Sequence, residues 1–316
     1  MRATYSARQA YGAGMTLTRR RFFACCAIAA LNGAACSRQI TKHQFRFYAL
    51  GAEAQITLYG SRQQAENALL DCRNEIAAIE SAFSLYDPDS MLSRLNRDGT
   101  VLMDTRFSTL LSHALHLAEV SSGAFDPTIQ PLWQALSKGH DIKQGYQLVG
   151  WRDLVVRQGQ AQFVRQGMAA SFNGIAQGFA ADRVSAILTK RGFKNILVNL
   201  GEFSAQGTKQ GAPWRLGIRD PLSGRIATEI EPANNAIATS EPRGTLIAGR
   251  SHIFDPLERG GKRWVSVTVE AAEAWRADAL STAIAASPIE DAEKLLAAGN
   301  ATRAWLINDS GILQII

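Results

Sequence analysis

"SFNGIAQGFAADRV", residues 171–184, places Asn173, Gly174, Gln177 and Gly178 at the mouth of a helical pattern. Glycines there let backbone amides approach a phosphate, because a helix N-terminus offers unpaired N–H groups and the positive end of a dipole. A Walker loop would need a lysine after its glycine, and here Phe179 follows Gly178. No G-x-G-x-x-G occurs elsewhere in the chain. The strands and helices around the stretch are mixed without regular βαβ alternation, so the class is read as α+β and not as a doubly wound parallel sheet. Two accounts of the stretch remain at this level. It faces a phosphate whose charge is met by something other than lysine, or it is a tight turn into an ordinary helix.

Working outward, "NILVNLGEFSAQG" after the helix reads as a strand, and so do "WRLGIRDP", "AIATS" and "VSVTVEA". "RADALSTAIAAS" starts a helix, "DAEKLLAAG" is a second one stopped by Gly299, and "RAWLINDSGILQII" closes as a hairpin. Towards the N-terminus, "QFRFYALGAEAQITLYG" (44–60) alternates apolar and polar residues as a strand pair or one long strand. Ala65, Leu69, Cys72, Ile76, Ile79 and Phe83 recur at helical spacing, and Asp87-Pro88 is expected to break that helix. "SMLSRLNRDG" reads as a short helix or turn stopped by Gly99, and a helix is expected from about Ser108 to Ser121. "AFDPTIQPLWQAL" reads as a proline-constrained loop before a short helix, and small strands are expected between 147 and 171. No internal repeat or long linker interrupts the body, which reads as a single compact two-lobed unit.

The chain has 316 residues, 46% of them apolar, and a formal charge of +6. Five of its 34 basic residues (Arg2, Arg8, Arg19, Arg20, Arg21) precede Cys36, where there is no acid. The rest holds 29 basic against 28 acidic residues, which supplies no basic stripe for a nucleic-acid backbone. "TRRRFFACCAIAALNGAAC" has the layout of an export signal of twin-arginine type over residues 1–36, and periplasmic localisation follows as an expectation. Its apolar run is shorter than the ~20 residues of a bilayer span. Cleavage near Ala34, Ala35 or Cys36 fits the small-residue rule, and Cys36 is a candidate lipid anchor, the one expected link to a membrane. Gly33 stands where a lipobox usually has leucine. Of four cysteines only Cys72 lies in the body, so no internal disulfide is expected there.

Several constellations could carry chemistry. Asp278 and Thr282, four apart in "ADALST", share a helix face and could supply two hard oxygen ligands to Mg²⁺ or Ca²⁺. The alternative is a capping Asp with a buried Thr. Ser281 adds an oxygen about 100° around the helix. "SHIFDP" puts His252 and Asp255 in a loop or strand end, where a histidine can act as a general base or stand by. His113 and His116 lie three apart on a helix, but no third metal ligand is nearby. In "SGAFDPT", Phe125 could stack on a ring while Asp126 accepts its polar edge, or the loop is simply a helix stop and turn. Thr239 and Ser240 in "IATSEP" could meet a phosphate, though such hydroxyls are more often caps. G-x-S-x-G and H-E-x-x-H are both missing.

In chain order, "LGAEAQITL", "FSLYDPDSMLSRLN", "SSGAFDPTIQPLW", "NGIAQGFAADRV", "ILVNLGE", "WRLGIRDP", "AIATS", "HIFDP" and "ADALSTA" resemble the ApbE family of FAD:protein FMN transferases. The resemblance runs from about residue 45 to 300 and is nearest to exported members serving respiratory flavoproteins, including those near nitrous-oxide reduction. It implies a T-fold-like domain over 45–316, with mixed sheets and packed helices, that binds FAD with a divalent cation, Mg²⁺, on the diphosphate. Asp278 and Thr282 match cation ligands, with Ser281 beside them and Gly174 lending a carbonyl. Ala124, Phe125 and Asp126 match an FAD-binding loop; Leu50, Tyr86 and Ile253 match at single positions; Ser171, Gln177, Thr239 and Ser240 complete the expected nucleotide contacts. His252 matches the base that deprotonates an acceptor Thr or Ser hydroxyl. The implied reaction moves FMN from FAD to that hydroxyl of an exported flavoprotein and releases AMP.

Three departures stand out. Ser171 and Gln177 replace an Asp and a Lys, which keeps hydrogen-bonding capacity and removes an ion pair. Glu202 stands where a second glycine is usual, and "TSEPRG" replaces a Ser-Gly-Asp-Tyr turn. They leave two alternatives to transfer: a periplasmic protein that binds and presents FAD, or an FAD diphosphatase of the same fold.

Overall fold

A computed structural model describes residues 41–316 of the chain; the arginine-led signal and Cys36 lie outside the described residues. The alternating stretch is two strands, β1 (Thr41–Ala49) and β2 (Ala52–Gly60), paired antiparallel from Thr41 opposite Gly60 to Ala49 opposite Ala52. Leu50 and Gly51 make the two-residue turn, both with positive φ (52° and 77°), as the right-handed twist of a hairpin demands.

The next helix, α1 (Arg62–Phe83), is capped by Ser61 and buries Ala65, Cys72, Ile76 and Ile79 along its apolar stripe. It ends before the expected Asp87-Pro88 break. Ser84 Oγ accepts the amides of Tyr86 (3.1 Å) and Asp87 (3.0 Å), turning the chain away from the helix axis ahead of the proline. Helix α2 (Met91–Asp98) runs from a Ser90 cap to Gly99 in the left-handed conformation. After β3 (Thr100–Leu102), Asp104 caps α3 (Thr105–Val120) at Phe107 N, so this helix starts three residues ahead of Ser108.

Two short helices follow, α4 (Gln130–Ser137) and α5 (Ile142–Tyr146). Strands β4 (Leu154–Arg157) and β5 (Gln160–Phe163) join β3 in a small sheet of order β3-β5-β4. The opening stretch then enters α6 (Ala176–Lys190). "NILVNLGEFSAQG" is a hairpin and not one strand, with β6 (Ile196–Asn199) and β7 (Phe203–Gln206) turning at Gly201 and Glu202. A separate hairpin of β8 (Leu216–Arg219) and β9 (Ile226–Ile230) precedes β10 (Ala236–Ser240) and the small ribbon of β11 (Leu246–Ile247) and β12 (Arg250–Ser251). The chain ends with β13 (Ser266–Ala271), α7 (Ala274–Ala286), α8 (Ala292–Ala298), β14 (Arg303–Ile307) and β15 (Leu313–Ile315).

Eight strands form the main sheet in the order β1-β2-β6-β7-β10-β13-β14-β15, every neighbouring pair antiparallel. Helix α7 lies on β10, β13 and α6, and α6 lies on α1. Eleven of the thirteen α7 residues are buried, so this helix runs through the core and not along its surface. Phe83, Phe107, Phe172 and Phe179 cluster beside it, with Phe83 centred 5.4 to 6.2 Å from the other three. The result is an α+β domain whose strand ends and helix starts converge near α7. Among the described residues no helix is long and apolar enough to cross a membrane.

Candidate active site

Helices α6 and α7 cross where neither has a cap from its own N-terminal residue, since Ile175 and Glu273 make no side-chain cap bond. A Cβ on Gly178 would lie 2.2 Å from the Ala274 carbonyl oxygen, so only glycine allows this approach. Each helix is capped by the other. Asp182 accepts from Ala274 N (2.8 Å) and Trp275 N (2.9 Å), and Asp278 accepts from Gly178 N (2.9 Å) through Oδ2.

Asp278 is thereby fixed on the floor of a cleft of about 430 Å³. Its walls are the Ala124–Asp126 loop, Ser171 to Gln177, the hairpin tip at Glu202, Thr239 to Thr245, and His252 to Pro256. Of the residues expected from sequence, Ala124, Phe125, Asp126, Ser171, Gly174, Gln177, Thr239, Ser240, His252, Ile253, Asp278 and Thr282 line this one cleft. Three are not among the lining residues. Tyr86 is 94% exposed, Ser281 is fully buried behind the floor, and Leu50 touches the site through its carbonyl, which accepts Gln177 Nε2 at 3.4 Å.

The individual roles are specific. Asp126 accepts from Thr128 N (2.7 Å), Thr128 Oγ1 (2.6 Å) and Trp151 N (3.0 Å), so both its oxygens already hold its own loop. Burial, the largest effect, pushes its carboxyl above the usual range despite those donors. Phe125, held by Ser121 Oγ at its amide, is set against the cleft. Ser171 and Gln177 make no bond to each other; Ser171 Oγ accepts Asn173 N at 3.3 Å. Ser281 Oγ bonds Ser240 Oγ at 2.8 Å, and Ser240 Oγ lies 3.3 Å from Thr282 Oγ1, so a chain of hydroxyls ties α7 to the end of β10.

His252 Nδ1 sits 2.9 Å from the Thr245 carbonyl oxygen. A carbonyl only accepts, so Nδ1 carries a hydrogen, and in the neutral ring the lone pair lies on Nε2. Trp133 meets the imidazole edge-on at 6.3 Å between ring centres. His113, by contrast, is half-buried and stacks on Trp275 at 4.2 Å, outside the cleft lining.

Sequence reasoning noticed Glu202 only as a departure from pattern. In the fold it is buried on the cleft floor, and its Oε2 accepts Thr239 N at 3.0 Å. Burial, then the neighbouring charge of Asp278, drives Glu202 well above the ordinary carboxylate range, and burial also raises Asp278. Trp133 and Phe254 also line the cleft; they belong to "SSGAFDPTIQPLW" and "HIFDP", in which sequence reasoning gave neither a role.

The donor side chains on the cleft floor are all oxygen, two carboxylates and the Thr282 hydroxyl, the kind of set that suits Mg²⁺. A Cβ on Gly174 would stand 2.9 Å from Thr282 Oγ1, so the glycine leaves that hydroxyl free of an adjacent side chain. The residues present therefore fit a hard divalent cation.

The sequence model of the ApbE family matches residues 50–306. The chain belongs to the ApbE family. Among relatives, the FAD:protein FMN transferase of Treponema pallidum (strain Nichols) is 26% identical over 305 residues, covering 82% of this chain and 81% of its own length. The Vibrio cholerae (classical Ogawa 395) FAD:protein FMN transferase is 28% identical over 233 residues, 65% of this chain and 69% of that protein. Two solved structures share the fold: the flavin transferase ApbE from Vibrio cholerae (TM-score 0.75, 24% identity, 87% of this chain and 97% of that one) and the ApbE protein of Thermotoga maritima (TM-score 0.78, 24% identity, 87% and 96%). The α+β fold described above is thus shared with these ApbE structures.

Proposed function

We propose that the protein transfers FMN from FAD to a Thr or Ser hydroxyl of an exported flavoprotein, releasing AMP. The observation that carries this reading is His252, whose Nε2 lone pair is kept free by the Thr245 carbonyl in the cleft that also holds Asp278, Thr282 and Gly174. The acceptor oxygen forms a bond to the FMN-side phosphorus while the diphosphate bridge breaks, and its proton passes to His252 Nε2. Asp278 and Thr282, with the Gly174 carbonyl, would hold Mg²⁺, which when bound supplies charge neutralisation at the diphosphate. Phe125 and Ile253 offer apolar surface for a ring, and Ser171 and Gln177 offer hydrogen bonds where an ion pair is absent. In this reading the chain is exported by the twin-arginine route and acts in the periplasm, with Cys36 as its candidate lipid anchor; mass spectrometry of the mature N-terminus tests that part.

Incubating the protein with FAD, Mg²⁺ and a candidate exported flavoprotein domain tests the main reading. A flavin mass on the acceptor with stoichiometric AMP is expected. FAD binding without AMP supports a flavin-presenting protein instead, and AMP without an acceptor adduct supports an FAD diphosphatase.

A further inference from the structure

Of six buried carboxylates among the described residues, Asp126 has both oxygens held by its own loop and Glu270 accepts from Asn235 Nδ2 at 2.8 Å; the other four divide into two kinds. Glu75 pairs with Arg106 and Arg183, and Asp255 pairs with Arg259 and Arg263, as buried acids ordinarily do. Glu202 and Asp278 are as deeply buried and neighbour each other, yet among the described residues neither meets an arginine or lysine. Each spends one oxygen on a backbone amide: Glu202 Oε2 on Thr239 N and Asp278 Oδ2 on Gly178 N. The other oxygen of each has no protein donor among the described residues, and both side chains line the cleft.

The placement of Glu202 is built into the backbone. Gly201 has φ +100°, and a Cβ there would fall 2.6 Å from Gln177 Nε2, so the hairpin tip passes beneath the Gln177 side chain. Leu200 N donates to the Glu202 carbonyl (3.1 Å), closing the turn and directing the carboxylate into the cleft beside Asp278. Two adjacent buried acids without a counter-charge are costly, and buried charges in proteins are paired or coordinate metals.

We propose that Glu202 is a ligand of the same divalent cation as Asp278 and Thr282, so that this chain grips the ion with two carboxylates. The inference rests on the reading of the cleft as a cation-assisted FAD site. A second carboxylate raises the charge count of the donor set, which together with site rigidity tunes affinity for hard cations. It also lets the cation be held before the nucleotide diphosphate arrives.

Mn²⁺ is the probe. Its binding to the full chain purified without FAD is measured by titration calorimetry and by the loss of the free-ion EPR signal. Glu202→Gln is expected to weaken Mn²⁺ binding by more than roughly 10–100-fold, the loss that removing an outer-shell partner of a metal ligand already causes. Glu202→Asp recovers part of the loss. Gln still offers an oxygen to Thr239 N, so the melting temperature of the cation-free Glu202→Gln variant should equal or exceed that of the wild type.

Wild-type Mn²⁺ affinity in Glu202→Gln, with binding lost in Asp278→Asn, overturns the proposal. So does a lowered melting temperature with unchanged affinity, which would make Glu202 a structural acceptor. A wild-type chain that binds no Mn²⁺ with or without FAD removes the cation reading of the cleft itself, a distinct failure. Should Glu202→Gln not fold, Glu202→Asp decides: wild-type affinity in a folded Asp variant with a shorter reach counts against ligation.

Discussion

Asp182 and Asp278 cap each other's helices: Asp182 on α6 holds the first two amides of α7, and Asp278 on α7 holds an amide in the first turn of α6. The exchange links the fold to the site, because the carboxylate that caps α6 is the one that faces the cleft. Asp182→Ala leaves two α7 amides without partners and frees the start of that helix one turn before Asp278. A loss of about 1–2 kcal/mol is expected in urea denaturation, together with weaker Mg²⁺ dependence of turnover. Unchanged stability would show that α7 is held by its packing alone.

Gly178→Ala tests the same crossing from its steric side. The added methyl would meet the Ala274 carbonyl at 2.2 Å, which no rotamer relieves. Separation of the helices is expected to cost about 1–3 kcal/mol and to pull Asp278 off the Gly178 amide. Spectroscopic titration with Mn²⁺ should show weakened binding even where the variant remains folded at low temperature.

These two residues also mark where sequence reading stops. The α1 stripe from Ala65 to Phe83, the Ser90 cap and the Gly99 stop are set by neighbours within one or two turns, and spacing exposes them. Asp182 caps a helix that starts 92 positions later, and Asp278 reaches back 100 positions to Gly178. No local period carries either pairing. The Asp278–Thr282 spacing suggested a shared face, and they do line one cleft; Ser281, one step around the helix, faces the hidden side and acts through Ser240. Glu202 stood out only against a family pattern, since its burial depends on β7 lying next to β10. The split of β6 from β7 lies at Leu200–Glu202, where the positive φ of Gly201 turns the chain.

Glu75 carries a pH signature. It lies on α1 and bonds Arg106 of α3 and Arg183 of α6, and the Arg106 hydrogen bond, the largest cause, holds its carboxyl below the usual value. A depressed folded value means that the stabilisation is fully present above the unfolded value near 4.5 and is lost as pH falls through the folded one. Both arginines are partly solvated, so Glu75→Gln should cost about 1–3 kcal/mol at neutral pH. The gap between wild type and variant, measured by denaturant unfolding from pH 7 to 3, should close on the acid side. A constant gap would show that packing, and not charge, is what Glu75 contributes.

His252 separates chemistry from binding. Its Nδ1 is occupied by the Thr245 carbonyl, so only Nε2 is available to take a proton. Its ring contributes one lining surface among many, and the nucleotide contacts proposed for Phe125, Ser171 and Gln177 do not pass through it. His252→Gln keeps a donor for Thr245 and removes the basic nitrogen. Transfer at saturating acceptor is therefore expected to fall by roughly 10²–10⁴-fold, while the Kd for FAD, read from flavin fluorescence, stays at the wild-type value. The split between the two measurements is what a base predicts. A matched loss of FAD affinity and turnover would instead make His252 part of the binding surface, and the proton acceptor would have to be sought among the carboxylates on the cleft floor.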